Sequence, residues 1–348
     1  MKFFETISAA EFWQLSKSHI VFDVRSPVEF AEGHIPGAIN LPMFDDQQRA
    51  EVGTLYKHSG RDAAVLRGLK IAGLKMADLV VQATQAAQVA GGSKQVLVHC
   101  WRGGMRSQSI GWLLATAGLE PTVLEGGYKS FRRLAHDQFE IPWRLQVVSG
   151  LTGAGKTRVL RMLEAAGEQV LDLEGVANHR GSAFGGIGQE VQPTTEQFSN
   201  ELFARLSTFS SGRTVWIEDE GHNVGSVVVP APLYQRLRHS PGIIFETTTE
   251  HRIANLLEDY GDLPAEQLVE SVERIRKRLG PQNALAATAA IESGNVKQAI
   301  ELVLGYYDKF YIKATQNMPR PAMPTVMMSG LTDQEIVASA IEASQVTS

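Results

Sequence analysis

The chain has 348 residues, 43% apolar and 20% charged, with one cysteine and a net charge of −5. A lone cysteine excludes an internal disulfide and a multi-cysteine zinc site and fits a reducing compartment, and the negative balance confines any nucleic-acid contact to a local basic patch. No stretch approaches the ~18 uncharged apolar residues of a membrane helix, and the N-terminus lacks a signal-peptide core, so a cytoplasmic protein without membrane contact is expected, with two domains of about 100 to 200 residues each.

Ser8 and Glu11 form a capping-box pattern that opens a short helix. "HIVFDVR" (19–25) reads as a buried strand. Ser26-Pro27-Val28-Glu29 is a second capping box, with proline at the first helical position. "GHIPGAINLP" (33–42) is a turn-rich passage feeding a short strand, and residues 61 to 90 read as helix ended by Gly91-Gly92. "QVLVH" (95–99) is a strand, "SQSIGWLLATAG" (107–118) a helix, and "TVLEGGYKSFRR" (122–133) a strand and turn. Such alternation predicts a parallel sheet.

Near residue 140 the pattern restarts, with "HDQFEIPW" (136–143) as the expected linker. "RLQVVSG" (144–150) is a strand and "GAGKTRVLRMLEAAG" (153–167) a helix. "EQVLDLE" (168–174), "RTVWIEDE" (213–220) and "GIIFETT" (242–248) read as further strands, and beyond 250 the pattern is mostly helical. The expected fold is α/β: a parallel-sheet domain over 1–137, then a P-loop α/β domain over 144–348 with a mainly helical C-terminal part.

In "VLVHCWRGGMRS" (96–107), Cys100 follows a strand and precedes a helix, where parallel sheets usually place their chemistry. Gly103 and Gly104 permit a curved loop whose amides converge on an anion. Arg102 and Arg106 add charge, and the helix start at Ser107 adds a positive dipole end. These features favour a thiolate nucleophile that faces a tetrahedral anion. "FDVRSPVEFAEGHIPGAINLP" (22–42), the cysteine loop and "VLEGGYKSF" (123–131) together resemble rhodanese domains, which carry sulfur on the loop cysteine. Five residues separate Cys100 from Arg106, where common sulfur-transferring rhodaneses have four. The longer loop resembles rhodanese-fold phosphatases and arsenate reductases and implies a wider cradle.

"GLTGAGKT" (150–157) matches the P-loop pattern between a strand and a helix. The Gly150, Gly153 and Gly155 backbone would cradle a phosphate, with Lys156 neutralising it and Thr157 a ligand for Mg²⁺. Asp172 ends the next strand and is a candidate base or metal ligand. In "VWIEDE" (215–220), Glu218 or Asp219 is placed to face a metal, and Asp219 is the candidate taken. No metal site is firmly assigned. Solvated strand ends would explain the same acids.

"EQLVESVERIRKRLGP" (266–281) sets Leu268, Val272, Ile275 and Leu279 on one helical face and Arg274, Lys277 and Arg278 on the other. Those three, with Arg132 and Arg133 near the domain junction, are candidate contacts for an RNA backbone, although basic residues also favour a helix's last turn. "DLEGVANHRGSAFGGIG" (172–188) is a long glycine-rich stretch expected to form a substrate loop over the phosphate site.

A cysteine loop followed by a P-loop and then by "DLEGVANHRGSAFG" is similar over nearly the whole chain to bacterial tRNA 2-selenouridine synthases. That resemblance implies a transferase acting on tRNA, with no prosthetic group. It replaces the sulfur of wobble 2-thiouridine with selenium, using geranyl diphosphate and selenophosphate as co-substrates. The thio group is first S-geranylated, and selenium then displaces it. On this reading Cys100 takes selenium from selenophosphate and becomes a selenium-bearing cysteine, while the P-loop holds the geranyl donor's diphosphate. Two other readings stand beside it: a Cys-x5-Arg phosphatase fused to a P-loop kinase or regulatory domain, and a non-catalytic P-loop switch that docks through the rhodanese domain.

Overall fold

In the computed structural model, which describes residues 3–315 and 319–347, the chain divides into two units, Met1–Gln138 and Phe139–Ser348. The first runs β1 (Glu5–Ile7), α1 (Ala9–Leu15), β2 (Ile20–Asp23), α2 (Pro27–Glu32), β3 (Ile39–Asn40), α3 (Asp46–Val89), β4 (Gln95–His99), α4 (Met105–Thr116), β5 (Glu120–Leu124) and α5 (Tyr128–Glu140). Its strands lie in the order β1-β5-β4-β2-β3, all parallel. In β4 every residue after Gln95 is buried, as expected of a strand covered on both faces. Phe22, Val96, Val98, Ile110 and Leu114 join the core between sheet and helices.

Local chemistry explains the helix starts. The Ser8 hydroxyl accepts from the Glu11 amide at 3.3 Å while the Glu11 carboxylate accepts from the Ser8 amide at 3.0 Å. Three boundaries depart from expectation. Helix α3 begins at Asp46, before the predicted 61, on an Asp45/Gln48 capping box, and breaks at Gly60 (φ 85°). Helix α4 begins at Met105 rather than Ser107, so Arg106 and Ser107 lie in its first turn. Helix α5 continues through much of the expected linker to Glu140.

The second unit runs β6 (Arg144–Ser149), α6 (Lys156–Ala165), β7 (Gln169–Leu171), α7 (Leu173–Ala177), α8 (Thr195–Leu206), β8 (Thr214–Glu218), β9 (Asn223–Val224), β10 (Val227–Val228), α9 (Ala231–His239), β11 (Gly242–Glu246), α10 (Thr249–Tyr260), α11 (Ala265–Leu279), α12 (Pro281–Glu292), α13 (Val296–Thr315), β12 (Thr325–Met327) and α14 (Asp333–Thr347). Its main sheet is parallel, in the order β12-β11-β6-β8-β7, with β6 at the centre. β12, which no apolar run announces, buries only Val326 and exists through pairing with β11. Helices α10 to α13 enclose a second core that includes Leu268, Val272, Ile275, Ala287 and Ile291. Among the described residues no helix is long and apolar enough to cross a membrane.

Candidate functional site

In the first unit Cys100 directly follows β4 and is only 3% exposed. Its Sγ lies 3.3 Å from the Ser107 hydroxyl, and Ser107 Oγ also donates to the Gly104 carbonyl at 3.2 Å. The loop is shaped from beneath by the turn before α5. The Tyr128 amide donates to the Cys100 carbonyl at 2.8 Å and the Lys129 amide to the Trp101 carbonyl at 3.0 Å. Gly103 (φ 64°) and Gly127 (φ 63°) meet here with no room for a Cβ. A Cβ on Gly127 would sit 2.4 Å from the Cys100 carbonyl oxygen. These bonds tie the Cys100 and Trp101 carbonyls to the start of α5.

A buried polar cluster holds the neighbouring strand ends. Asp23, Arg25 and His99 are all fully buried. Arg25 Nη2 reaches Asp23 at 2.5 Å and the Gly33 carbonyl at 2.6 Å, and its Cζ lies 3.9 Å from the Tyr128 ring centre. Burial opposes a charge on Asp23, but His99 and the bonded Arg25 outweigh it, so its carboxyl titrates below the ordinary range. Burial dominates at His99 and lowers its pKa.

Arg106 is one-fifth exposed and donates to Glu29 at 2.7 Å. Glu29 also accepts from the Ser26 amide at 3.1 Å and pairs with Arg49 at 3.5 Å. Burial works to raise the Glu29 pKa, but Arg106, together with the Ser26 amide and Arg49, lowers it overall. Glu29 thus does more than cap α2. Sequence reading sees only the cap, because its partner is 77 positions away. Arg102 is exposed on the loop.

In the second unit the P-loop leaves the C-terminal end of central β6. Gly150, Gly153 and Gly155 take φ of 151°, 77° and 89°. Helix α10 ties its carbonyls from outside: Arg252 Nε donates to the Thr152 oxygen at 2.8 Å and Asn255 to the Gly153 oxygen at 2.9 Å. Arg252 is in turn fixed by Asp308 of α13. The Ala154 amide is held within the loop by the Leu151 carbonyl at 3.0 Å, and the amides of Gly153, Gly155, Lys156 and Thr157 at the start of α6 are placed for an anion. Lys156 Nζ rests 3.1 Å from the Gly150 carbonyl.

Four carboxylates gather near this loop, and the residue bonded to Thr157 is Glu174, at 3.3 Å. Sequence reading passes over Glu174 because it lies inside short α7 rather than at a strand end. Asp172 caps α7, accepting from the Gly175 amide at 2.7 Å, and faces the same cavity. Glu218 is buried and accepts from the Glu174 amide at 2.7 Å. Burial raises its pKa well above the ordinary value, and Asp172 and Glu174 add to this. Burial and then Glu174 push Glu220 to about 8, and burial also raises Glu174. A fifth carboxylate, Asp219, lines the same cavity but is already paired. It accepts from the Ser149 hydroxyl at 2.6 Å and pairs with buried Arg320 at 2.8 Å. Tyr311 joins this group, bonding the Ser149 hydroxyl and accepting from the Gly150 amide at 3.0 Å.

No cluster of three or more His, Cys, Asp or Glu among the described residues is arranged to hold a metal by itself. A magnesium ion on a phosphate needs only one or two protein oxygens, and Thr157 with Glu174 forms a set of that kind.

A cavity of about 1120 Å³ opens from Lys156 and Thr157. The glycine-rich stretch supplies part of its wall through His179, Arg180 and Ser182. Its far wall is aliphatic, built by Leu268 and Val272 of α11, Ile291 of α12 and one face of α13. Of the basic candidates, Arg278 lines this cavity, while Arg274 and Lys277 are exposed on the same helix. Arg132 and Arg133 sit on α5, the first half-buried and the second exposed.

A family model described as the tRNA 2-selenouridine synthase AAA domain matches residues 143–339, and one described as a rhodanese-like domain matches residues 8–134. The chain is similar to the tRNA 2-selenouridine synthase of Pseudomonas fluorescens, with 35% identity covering 84% of this chain and 87% of that protein. Its similarity to that of Pseudomonas syringae pv. tomato is 37%, with the same coverage.

Proposed function

This chain belongs to the tRNA 2-selenouridine synthase family, and on that premise we propose that it converts wobble 2-thiouridine of tRNA to 2-selenouridine in two steps. The second unit binds geranyl diphosphate and S-geranylates the thio group: the sulfur–carbon bond forms, the carbon–oxygen bond breaks and diphosphate leaves. Selenium from selenophosphate, handled at Cys100, then displaces the geranylthio group. Alkylation makes that displacement feasible, because a geranylthiolate leaves more readily than sulfide.

The observation that carries this reading is one cavity with a phosphate loop at one end and an aliphatic wall beyond it. Lys156 and the amides of Gly153, Gly155, Lys156 and Thr157 would face the diphosphate and stabilise the charge that grows as it departs. Thr157 and Glu174 would hold a magnesium ion, which supplies further neutralisation of the diphosphate.

Electron counting sets the role of Cys100. Attack on selenium would expel phosphorus as phosphite, so the expected selenium-bearing cysteine cannot form with release of phosphate unless an oxidant is added. Attack on phosphorus balances: the sulfur–phosphorus bond forms, the phosphorus–selenium bond breaks, and hydroselenide leaves with the electron pair. Water then hydrolyses the phosphocysteine to phosphate. Arg106 and the loop amides suit the phosphoryl oxygens in both steps.

Competition tests the cavity assignment. Geranyl diphosphate is expected to displace a labelled nucleotide from the purified protein. Tight nucleotide binding that geranyl diphosphate cannot displace would overturn the assignment.

A further inference from the structure

Helix α13 lines the cavity from Val296 to Tyr311. At its phosphate end Tyr311 accepts from the Gly150 amide. One turn back stands Tyr307, whose hydroxyl accepts from the Ala183 amide at 3.2 Å. The next turns present Val303 with Leu304, then Ala299 with Ile300, and finally Val296, all on the cavity wall. At 1.5 Å per residue, Val296 lies about 22 Å along the helix axis from Tyr311.

The lining changes character along this line. Aromatic rings bearing hydroxyls stand near the diphosphate, and bare aliphatic side chains follow. A five-carbon isoprene unit spans about 5 Å at ordinary carbon–carbon bond lengths, and one helix turn rises about 5.4 Å. Each turn of α13 therefore matches one isoprene unit. With the diphosphate beside Tyr311 and Tyr307, the first unit reaches Val303, the second Ile300 and the third Val296.

We propose that α13 is a ruler along which the prenyl chain lies in register, with Val303, Ile300 and Val296 contacting the first, second and third isoprene units. This inference rests on the reading of the cavity as a prenyl diphosphate site. Its specific content is the order of the three residues, which follows from the helix and not from the identity of the substrate. Each unit kept against the wall removes apolar surface from water and strengthens binding about tenfold or more.

The test measures equilibrium binding of inorganic pyrophosphate and of dimethylallyl, geranyl and farnesyl diphosphates to the full chain. In the unaltered protein, affinity is expected to rise in that order. Val303→Trp should collapse the dimethylallyl-to-pyrophosphate ratio about tenfold, Ile300→Trp, at a half-buried position, the geranyl-to-dimethylallyl ratio, and Val296→Trp the farnesyl-to-geranyl ratio. Pyrophosphate binding reports whether each variant keeps its phosphate loop. If Val303→Trp loses it, Ile300→Trp and Val296→Trp, which block different units, carry the test of the order. If no prenyl diphosphate outbinds pyrophosphate in the unaltered protein, the cavity assignment itself fails. If affinity climbs with length but the block position does not change which ratio collapses, the ruler alone is overturned.

Discussion

Gly127→Ala should damage the cysteine loop from a distance. Its φ of 63° already costs an L-residue about 1–2 kcal/mol. The added methyl would also lie 2.4 Å from the Cys100 oxygen, 2.4 Å from the Gly103 nitrogen and 2.7 Å from the Arg102 nitrogen, all backbone atoms. Relief requires the two loops to separate by roughly 1 Å if an ordinary carbon contact is to be restored. That movement breaks the Tyr128–Cys100 and Lys129–Trp101 backbone bonds, worth about 1 kcal/mol each. The total is about 3–4 kcal/mol, or a fall in melting temperature on the order of 10 °C for a domain of this size. Gly37→Ala is the control, since it sits at φ 80° with nothing within 4 Å of its would-be Cβ, so only the conformational strain applies. Cys100 is the chain's one cysteine, so its alkylation rate, followed by mass spectrometry, reports loop geometry without ambiguity. If the two variants melt together and alkylate at the same rate, the packing account of the loop is refuted.

Cys100→Ser should abolish selenation and phosphate release from selenophosphate while tRNA geranylation continues; a folded mutant that loses both activities would contradict the division of labour between the units. Glu220 has its pKa raised from the ordinary 4.5 to about 8 by burial and by Glu174. The folded state therefore holds that proton more tightly than the unfolded state does. The associated stability is complete below 4.5 and is lost as pH rises toward and through 8. Glu220→Gln should flatten that part of the urea-unfolding midpoint measured between about pH 5 and 8; an unchanged slope would show that Glu220 is not the group responsible.

The two chemical loops are legible in the sequence because each is local. A strand, a short run of glycines and a helix start lie within about a dozen consecutive residues, and φ constraints act along the chain. The apolar face of α11 is legible for the same reason, since a 3.6-residue period is a property of one segment. What surrounds the loops is not legible there. Glu29 reads as a helix cap until Arg106 is folded against it, and Asp219 reads as a metal ligand until Arg320 and Ser149 claim it. Glu174 sits in a short helix with no pattern of its own, and β12 is a strand only because β11 offers it an edge. The cavity belongs to the same class, for its wall combines residues of α10, α11, α12 and α13 whose apolar character signals only burial. Sequence determined which segments can bind an anion, because that depends on neighbouring amides. Tertiary structure decided which carboxylates, cations and aliphatic side chains stand around those amides, because charge pairing and burial act through space between residues far apart in the chain.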